Sequence, residues 1–196
     1  MKVGVLALQG AFREHREALD ALGVEAVEVR VPEALDTVDA LVLPGGESTT
    51  IGKLLVTSGL LNPLCERLHD DMPALATCAG LIVLAREVLD GRTDQEPLGV
   101  IDATVRRNGY GTQLQSFEAD LDVDGMAGGP FRGVFIRAPL IEAVGDRVEV
   151  LGSHEEHAVL LRDGRVWAST FHPELSGDLR IHQMFLERGF VEREVA

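Results

Sequence analysis

The chain has few cysteines. Only Cys65 and Cys78 occur in 196 residues, and they form neither a CxxC pair nor a disulfide framework, which places the expectation in a reducing cytosol. Basic residues are also scarce: 18 Lys+Arg face 32 Asp+Glu, a formal net charge of −14. That balance excludes the basic footprint expected of a nucleic-acid or anionic-membrane binder. Lysine is nearly missing, with only Lys2 and Lys53, which we assign to coding bias. Long hydrophobic runs are lacking as well. The stretch Leu81 to Ala85 is bounded by Arg86 and Glu87, far short of a membrane span. The run Val3 to Leu8 is too short for a signal-peptide core and is followed by charges at Arg13 to Arg16. There is no internal repeat, low-complexity tract or linker. What remains is an ordinary globular mixture, 45% hydrophobic and 26% charged, in a chain able to bury roughly two thirds of its unfolded surface. One cytoplasmic domain over residues 1–196 is expected.

The first half alternates strand and helix patterns. Val3 to Leu8 and Asp39 to Leu43 read as strands buried on both faces, Val24 to Val31 as a strand stopped by Pro32, and Pro73 to Thr77 as a short strand. Helices are expected over Phe12 to Leu22, Ser48 to Leu55, Leu60 to Leu68 and Ala79 to Leu89. Such alternation implies parallel βαβ units. In the second half, strands are expected at Val100 to Val105, Phe117 to Val123, Val134 to Arg137, Val148 to Leu151, Ala158 to Leu161 and Val166 to Phe171. Asp163-Gly164 predicts a hairpin. A last helix covers Leu179 to Arg188, before a frayed tail over 191–196. The fold class is therefore α/β, a mainly parallel sheet with a small antiparallel addition.

Three motifs carry chemistry. Ala76-Thr77-Cys78-Ala79-Gly80 puts a cysteine where a strand gives way to a helix. Such a turn exposes a strained nucleophile among small neighbours, and free N–H groups at the helix start lower a thiol pKa and hold a developing oxyanion. Cys65 lies mid-helix without these neighbours and reads as packing. His172 ends a strand and precedes Pro173-Glu174. Proline biases it toward an extended backbone, which points residues 172 and 174 the same way, so the carboxylate can fix the imidazole tautomer. Pro44-Gly45-Gly46-Glu47-Ser48-Thr49-Thr50 is the third motif. Its spacing to Gly52-Lys53 misses the phosphate loop, and Leu54 replaces the required hydroxyl. A plain turn with a Ser48 N-cap is the simple alternative; an oxyanion hole facing Cys78 fits better. His154-Glu-Glu-His157 lacks metalloprotease spacing and a third ligand, and reads as a solvated loop. Arg106-Arg107 is too small a basic cluster for nucleic acid, and Asp90, Asp94 and Glu96 read as a hydrated loop.

Together these motifs resemble class I, triad-type glutamine amidotransferases. Leu8-Gln-Gly-Ala11, Arg13-Glu-His15, Leu43 to Thr50, Thr77 to Leu81, Arg107-Asn108, Ser116-Phe-Glu118, Gly133 to Pro139 and Phe171 to Leu175 are similar, more closely, to the glutaminase subunits of pyridoxal 5'-phosphate synthases, from about Val3 to Phe190. The resemblance implies a flavodoxin-like three-layer domain that hydrolyses L-glutamine to glutamate and ammonia. It implies delivery of the ammonia to a separate (β/α)₈ synthase subunit in a large hetero-oligomer, which builds pyridoxal 5'-phosphate from a pentose phosphate and a triose phosphate. It also implies that such subunits are poorly active until docked. Carried over by position, Cys78 is the nucleophile, His172 the general acid and base, and Glu174 its orienter. Gly46, Glu47 and Ser48 hold glutamine with Arg107 and the strand end Ile136-Arg137. The N–H groups of Gly46 and Ala79 form the oxyanion hole. Neither metal nor organic cofactor is required. Ala76, Thr112 and Gln115 depart from the family pattern.

Two other functions use the same residues. One is a glutaminase serving another ammonia-channelling synthase. The other is a non-catalytic regulatory protein with a cysteine elbow, which would need only Cys78.

Overall fold

A computed structural model describes residues 1–91, 97–107, 109 and 116–190. The expectations for Asp94, Glu96, Asn108, Thr112, Gln115 and the tail 191–196 lie outside the described residues. The central sheet has seven strands in the order β10-β11-β12-β4-β3-β1-β2. Strands β1 (Lys2–Leu6), β2 (Glu25–Val29), β3 (Ala40–Leu43), β4 (Ala74–Thr77) and β12 (Val166–Ser169) run parallel. At one edge β11 (His157–Asp163) and β10 (Glu149–His154) add in antiparallel fashion. This is the mainly parallel sheet with an antiparallel addition that the sequence pattern implies. The Asp163-Gly164 hairpin forms too: Asp163 pairs with Val166, and Gly164 takes φ +61° in the tight link.

Alternation along the buried strands sorts their side chains to two cores. Leu41, Leu43, Ala74 and Ala76 face α3 (Ser48–Thr57), α4 (Leu61–His69) and α5 (Ala79–Leu84). Ala40, Val42 and Leu75 face α1 (Phe12–Ala21), α6 (Arg180–Arg188) and the hairpin of β7 (Ser116–Leu121) with β8 (Phe131–Ile136). The result is three layers. Because β1 leads to β2 on one side and β3 on the other, the strand order reverses beside β1, and a crevice opens at the carboxyl ends of the strands.

Some elements differ from the expectation. The helix expected over Ala79 to Leu89 stops at Leu84, and Ala85–Val88 becomes β5. All six α5 residues are buried, so this segment is a core plug with no polar face. Beyond it the chain pairs β5 with β6 (Ile101–Arg106), where Arg86 bonds Asp102 and Glu87 accepts the Thr104 hydroxyl at 3.1 Å. An unanticipated strand, β9 (Leu140–Val144), completes this second sheet antiparallel to β6. Pro32, expected only to stop a strand, opens the one-turn helix α2 (Pro32–Leu35), where its missing N–H costs nothing. In the segment His154 to His157, Glu155 and Glu156 form the expected solvated link, an exposed two-residue turn, while His154 and His157 pair as the ends of β10 and β11, with His154 packed near Phe117.

Candidate active site

Four strand ends converge on the crevice. β4 ends at Thr77, and Cys78 follows with φ +50° and ψ −104°, a left-handed conformation that a cysteine adopts only under constraint. The constraint is local. The Cys78 N–H donates to the Ser169 carbonyl at 2.8 Å, binding the elbow to the strand that leads to His172. A Cβ on Gly80 would collide with the Leu43 carbonyl, so only glycine lets α5 start this close to β3. Ala76 sits in the ladder between Leu43 and Ala168 and takes ordinary strand geometry, so the departure there leaves the turn intact.

The histidine arrives from β12. Its N–H donates to the Val134 carbonyl at 2.8 Å, and Pro173–Leu175 forms a 3-10 turn immediately after it. That turn, and not a continued extended strand as expected, carries Glu174 back so that Oε1 lies 2.7 Å from His172 Nδ1. Both side chains are almost wholly buried. Burial opposes a charge on His172, yet hydrogen bonds and charges from Cys78 and Glu174 outweigh it and raise its pKa to about 10. Burial likewise opposes the Glu174 carboxylate, and the two histidines beside it, His15 and His172, win and hold its pKa below the usual range. A histidine that holds its proton beside a cysteine, backed by a carboxylate, is the arrangement a nucleophilic cysteine needs.

The glycine loop after β3 closes the opposite side. A Cβ on Gly45 would run into the His172 ring and stand 3.3 Å from Cys78 Cβ, so the backbone lies directly against the pair. The N–H groups of Gly46 and Ala79 find no acceptor among the described residues, as the expected oxyanion donors require. The helix α3 is capped by Glu47 and not by Ser48. The Glu47 carboxylate accepts N–H groups of Thr49 at 3.1 Å and Thr50 at 2.7 Å, and the Arg107 guanidinium at 2.9 Å. Desolvation resists this charge, but the hydrogen bonds from Thr50 and Thr49 lower its pKa to about 2. Ser48 is thereby released from capping, and its buried hydroxyl has no partner among the described residues.

A cavity of ≈ 430 Å³ is lined by Gly46, Glu47, Ser48, Arg107, Ile136 and Arg137, together with Gln9, Gly45, His172 and Leu175. Every expected binding residue therefore reaches one space. Arg137 takes φ +45°, and the Ile136 carbonyl lies 3.9 Å from Cys78 Sγ. Cys78 itself is 6% exposed and sits just behind the wall that Gly45, Ile136 and His172 make. Arg106 pairs with Glu142 and Asp90 accepts the Arg107 N–H, so neither is a free surface charge. Among the described residues no group of three His, Cys, Asp or Glu side chains could hold a metal, and no helix is long and apolar enough to cross a membrane.

Several residues gained no role from motif reading. Gln9 Oε1 accepts the Glu47 N–H at 2.7 Å, and the Ala11 N–H donates to the Gly45 carbonyl at 3.2 Å, so the loop before α1 holds the glycine loop in place. Thr77 Oγ1 takes the Gly45 N–H at 3.0 Å. His15 and His182 are fully buried behind Glu174. Besides the resemblance over Arg13-Glu-His15, the sequence signal for His15 is its place on the inward stripe of α1, beside Ala18 and Leu19, where an apolar residue is the rule.

Comparison with known proteins places this geometry among relatives. Residues 5–192 match the model of the SNO glutamine amidotransferase family. The chain is 55% identical over 188 residues to the pyridoxal 5'-phosphate synthase subunit PdxT of Pelotomaculum thermopropionicum, covering 96% of this chain and 95% of that one. It is 53% identical over 192 residues to the subunit of the same name from Rhodococcus jostii, covering 94% and 95%. A crystal structure titled as a glutamine amidotransferase superposes with a TM-score of 0.90 at 52% identity, over 96% of this chain and 99% of its own.

Proposed function

This chain belongs to the SNO glutamine amidotransferase family, and from that premise we propose that Cys78, His172 and Glu174 are its catalytic triad, within one glutaminase domain over 1–196. The chain is the glutaminase subunit of a pyridoxal 5'-phosphate synthase, a glutamine amidotransferase that works with a separate synthase subunit. The observation that carries the triad is the strained Cys78 elbow set against a buried His172–Glu174 pair at 2.7 Å.

The Cys78 thiolate attacks the side-chain amide carbon of glutamine, and the N–H groups of Gly46 and Ala79 take the oxyanion. His172, held as imidazolium, gives its proton to the departing nitrogen, so ammonia leaves and a thioester remains. The now neutral imidazole takes a proton from water, whose oxygen displaces the thiolate and frees glutamate. Glu174 holds Nδ1–H throughout, which keeps Nε2 toward the sulfur. Arg107, Arg137 and the ionised Glu47 supply charges for the two ends of the substrate, with Ser48 offering an unused hydroxyl. Ammonia useful to a second subunit must avoid water and protonation, so a (β/α)₈ synthase partner docked in a large hetero-oligomer, with a channel between the sites, goes with this reading. The sparse cysteine supports a cytoplasmic location.

The test is ammonia release from glutamine, with and without the synthase subunit, using Cys78→Ala as the blank. Release that needs Cys78 and rises on docking is expected. Wild-type release matched by Cys78→Ala would overturn the triad assignment. No release with or without the synthase subunit, and a His172→Ala chain indistinguishable from that inert wild type, would favour the non-catalytic reading.

A further inference from the structure

Behind the triad, two more histidines are sealed in the core, and the mechanism above leaves them unused. His15 Nδ1 lies 2.9 Å from His182 Nε2. His15 Nε2 lies 3.2 Å from Thr77 Oγ1 and 3.3 Å from Glu174 Oε2. Both rings are 0% exposed. We infer that this pair is a positioning device, in which neutral His15, protonated on Nε2, ties the triad carboxylate to the glycine loop, while His182 locks the tautomer. The inference rests on the triad reading above.

The proton positions follow from the partners. If His15 Nε2 were bare, its lone pair would face a carboxylate oxygen at 3.3 Å, two acceptors with no proton between them. Its Nδ1 would then carry the proton toward His182 Nε2, leaving the His182 proton on Nδ1. That atom is buried with no partner, and an orphaned buried donor is the costlier defect. The opposite assignment satisfies both contacts. His15 Nε2–H serves Thr77 and lies against Glu174, and His182 Nε2–H donates to His15 Nδ1. Protonating His15 as well would place its Nδ1–H against that donor. The titratable groups around His15 are Glu174, His172, Glu14 and His182, and burial dominates them, holding its pKa below the ordinary value.

The consequence is a link between two halves of the site. Thr77 Oγ1 accepts from His15 on one side and from the Gly45 N–H on the other, so His15 acts on the glycine loop through one hydroxyl. It acts on His172 through Glu174, whose buried Oε2 lies 3.3 Å from His15 Nε2 and takes no closer hydrogen bond from a side chain among the described residues.

Two polar substitutions separate the ring nitrogens. In His15→Gln the amide nitrogen can take the place of Nε2; in His15→Asn it reaches only the place of Nδ1. Both are made in a Cys65→Ala background, and the pH midpoint of Cys78 alkylation by iodoacetamide is followed in the full chain. Glutaminase kcat and KM are read in the complex with the synthase subunit. His15→Asn is expected to lower kcat about tenfold with KM little changed. It should also move the alkylation midpoint to higher pH, because a displaced Glu174 supports the imidazolium less. His15→Gln restores both. Equal midpoints and equal kcat in the two variants would reduce His15 to packing and overturn the inference. If neither variant folds, His182→Leu carries the test: a midpoint raised above that of the wild type supports the lock, and an unmoved one overturns it. A wild-type Cys78 that fails to alkylate removes the triad reading and this inference together.

Discussion

The hydroxyl of Thr77 holds the amide N–H of Gly45 at 3.0 Å. Thr77 precedes Cys78, the proposed nucleophile, and Gly45 opens the loop that faces it, so one hydrogen bond links the cysteine elbow to the proposed oxyanion donors. Thr77→Val keeps the shape and removes the acceptor, leaving a buried N–H unpaired. A loss of about 1–3 kcal/mol in stability is expected, with a fall in kcat larger than any change in KM. Denaturant unfolding and steady-state kinetics on one preparation check both.

Cys78 stores backbone strain that catalysis needs and stability does not. Its φ of +50° lies where glycine is at ease. Cys78→Gly should therefore unfold at higher denaturant than Cys78→Ala, by about 1 kcal/mol, although both lack activity. Equal midpoints would show that the elbow is unstrained.

Glu47 has two duties, capping α3 and pairing with Arg107. Glu47→Gln should cost about 1 kcal/mol of stability and raise KM for glutamine. Arg107→Met should raise KM while leaving the thermal midpoint nearly unchanged, since the cap survives. With its pKa held to about 2, Glu47 stays ionised down to pH 4, so the KM of the wild type should not rise through titration of this group above that pH.

His182 predicts an acid weakness. Burial lowers its pKa to about 3 in the folded chain against an ordinary 6.5. Between those values the unfolded chain binds a proton that the folded chain refuses, so stability falls as pH drops from 6.5 toward 3. The slope from this residue approaches about 1.4 kcal/mol per pH unit. Urea unfolding at pH 6.5, 5.5 and 4.5 should show a steeper fall for wild type than for His182→Leu, and parallel curves would refute the assignment.

Much of this was legible along the chain because the signals are local. A cysteine between a short apolar strand and small residues marks an elbow, and Pro-Gly-Gly marks a loop whatever it packs on. His172 and Glu174 are two apart, so their pairing is nearly a sequence property, although a 3-10 turn and not a strand produces it. Other features were less visible. Residues 79–89 carry enough apolar character to read as one helix, and only the pairing of β5 with β6 breaks it at Leu84.

By itself the sequence carried the proposed chemistry: the atom assigned to attack, the ring assigned to move the proton, and the backbone that can lie close enough to hold a negative charge. Residue type and local geometry decide those. The tertiary structure alone decided what holds them. His15 and His182 meet across 167 residues, and Thr77 reaches Gly45 across 32. No local pattern encodes such contacts, because their energy appears only when the sheet has brought distant strand ends together and excluded water from between them.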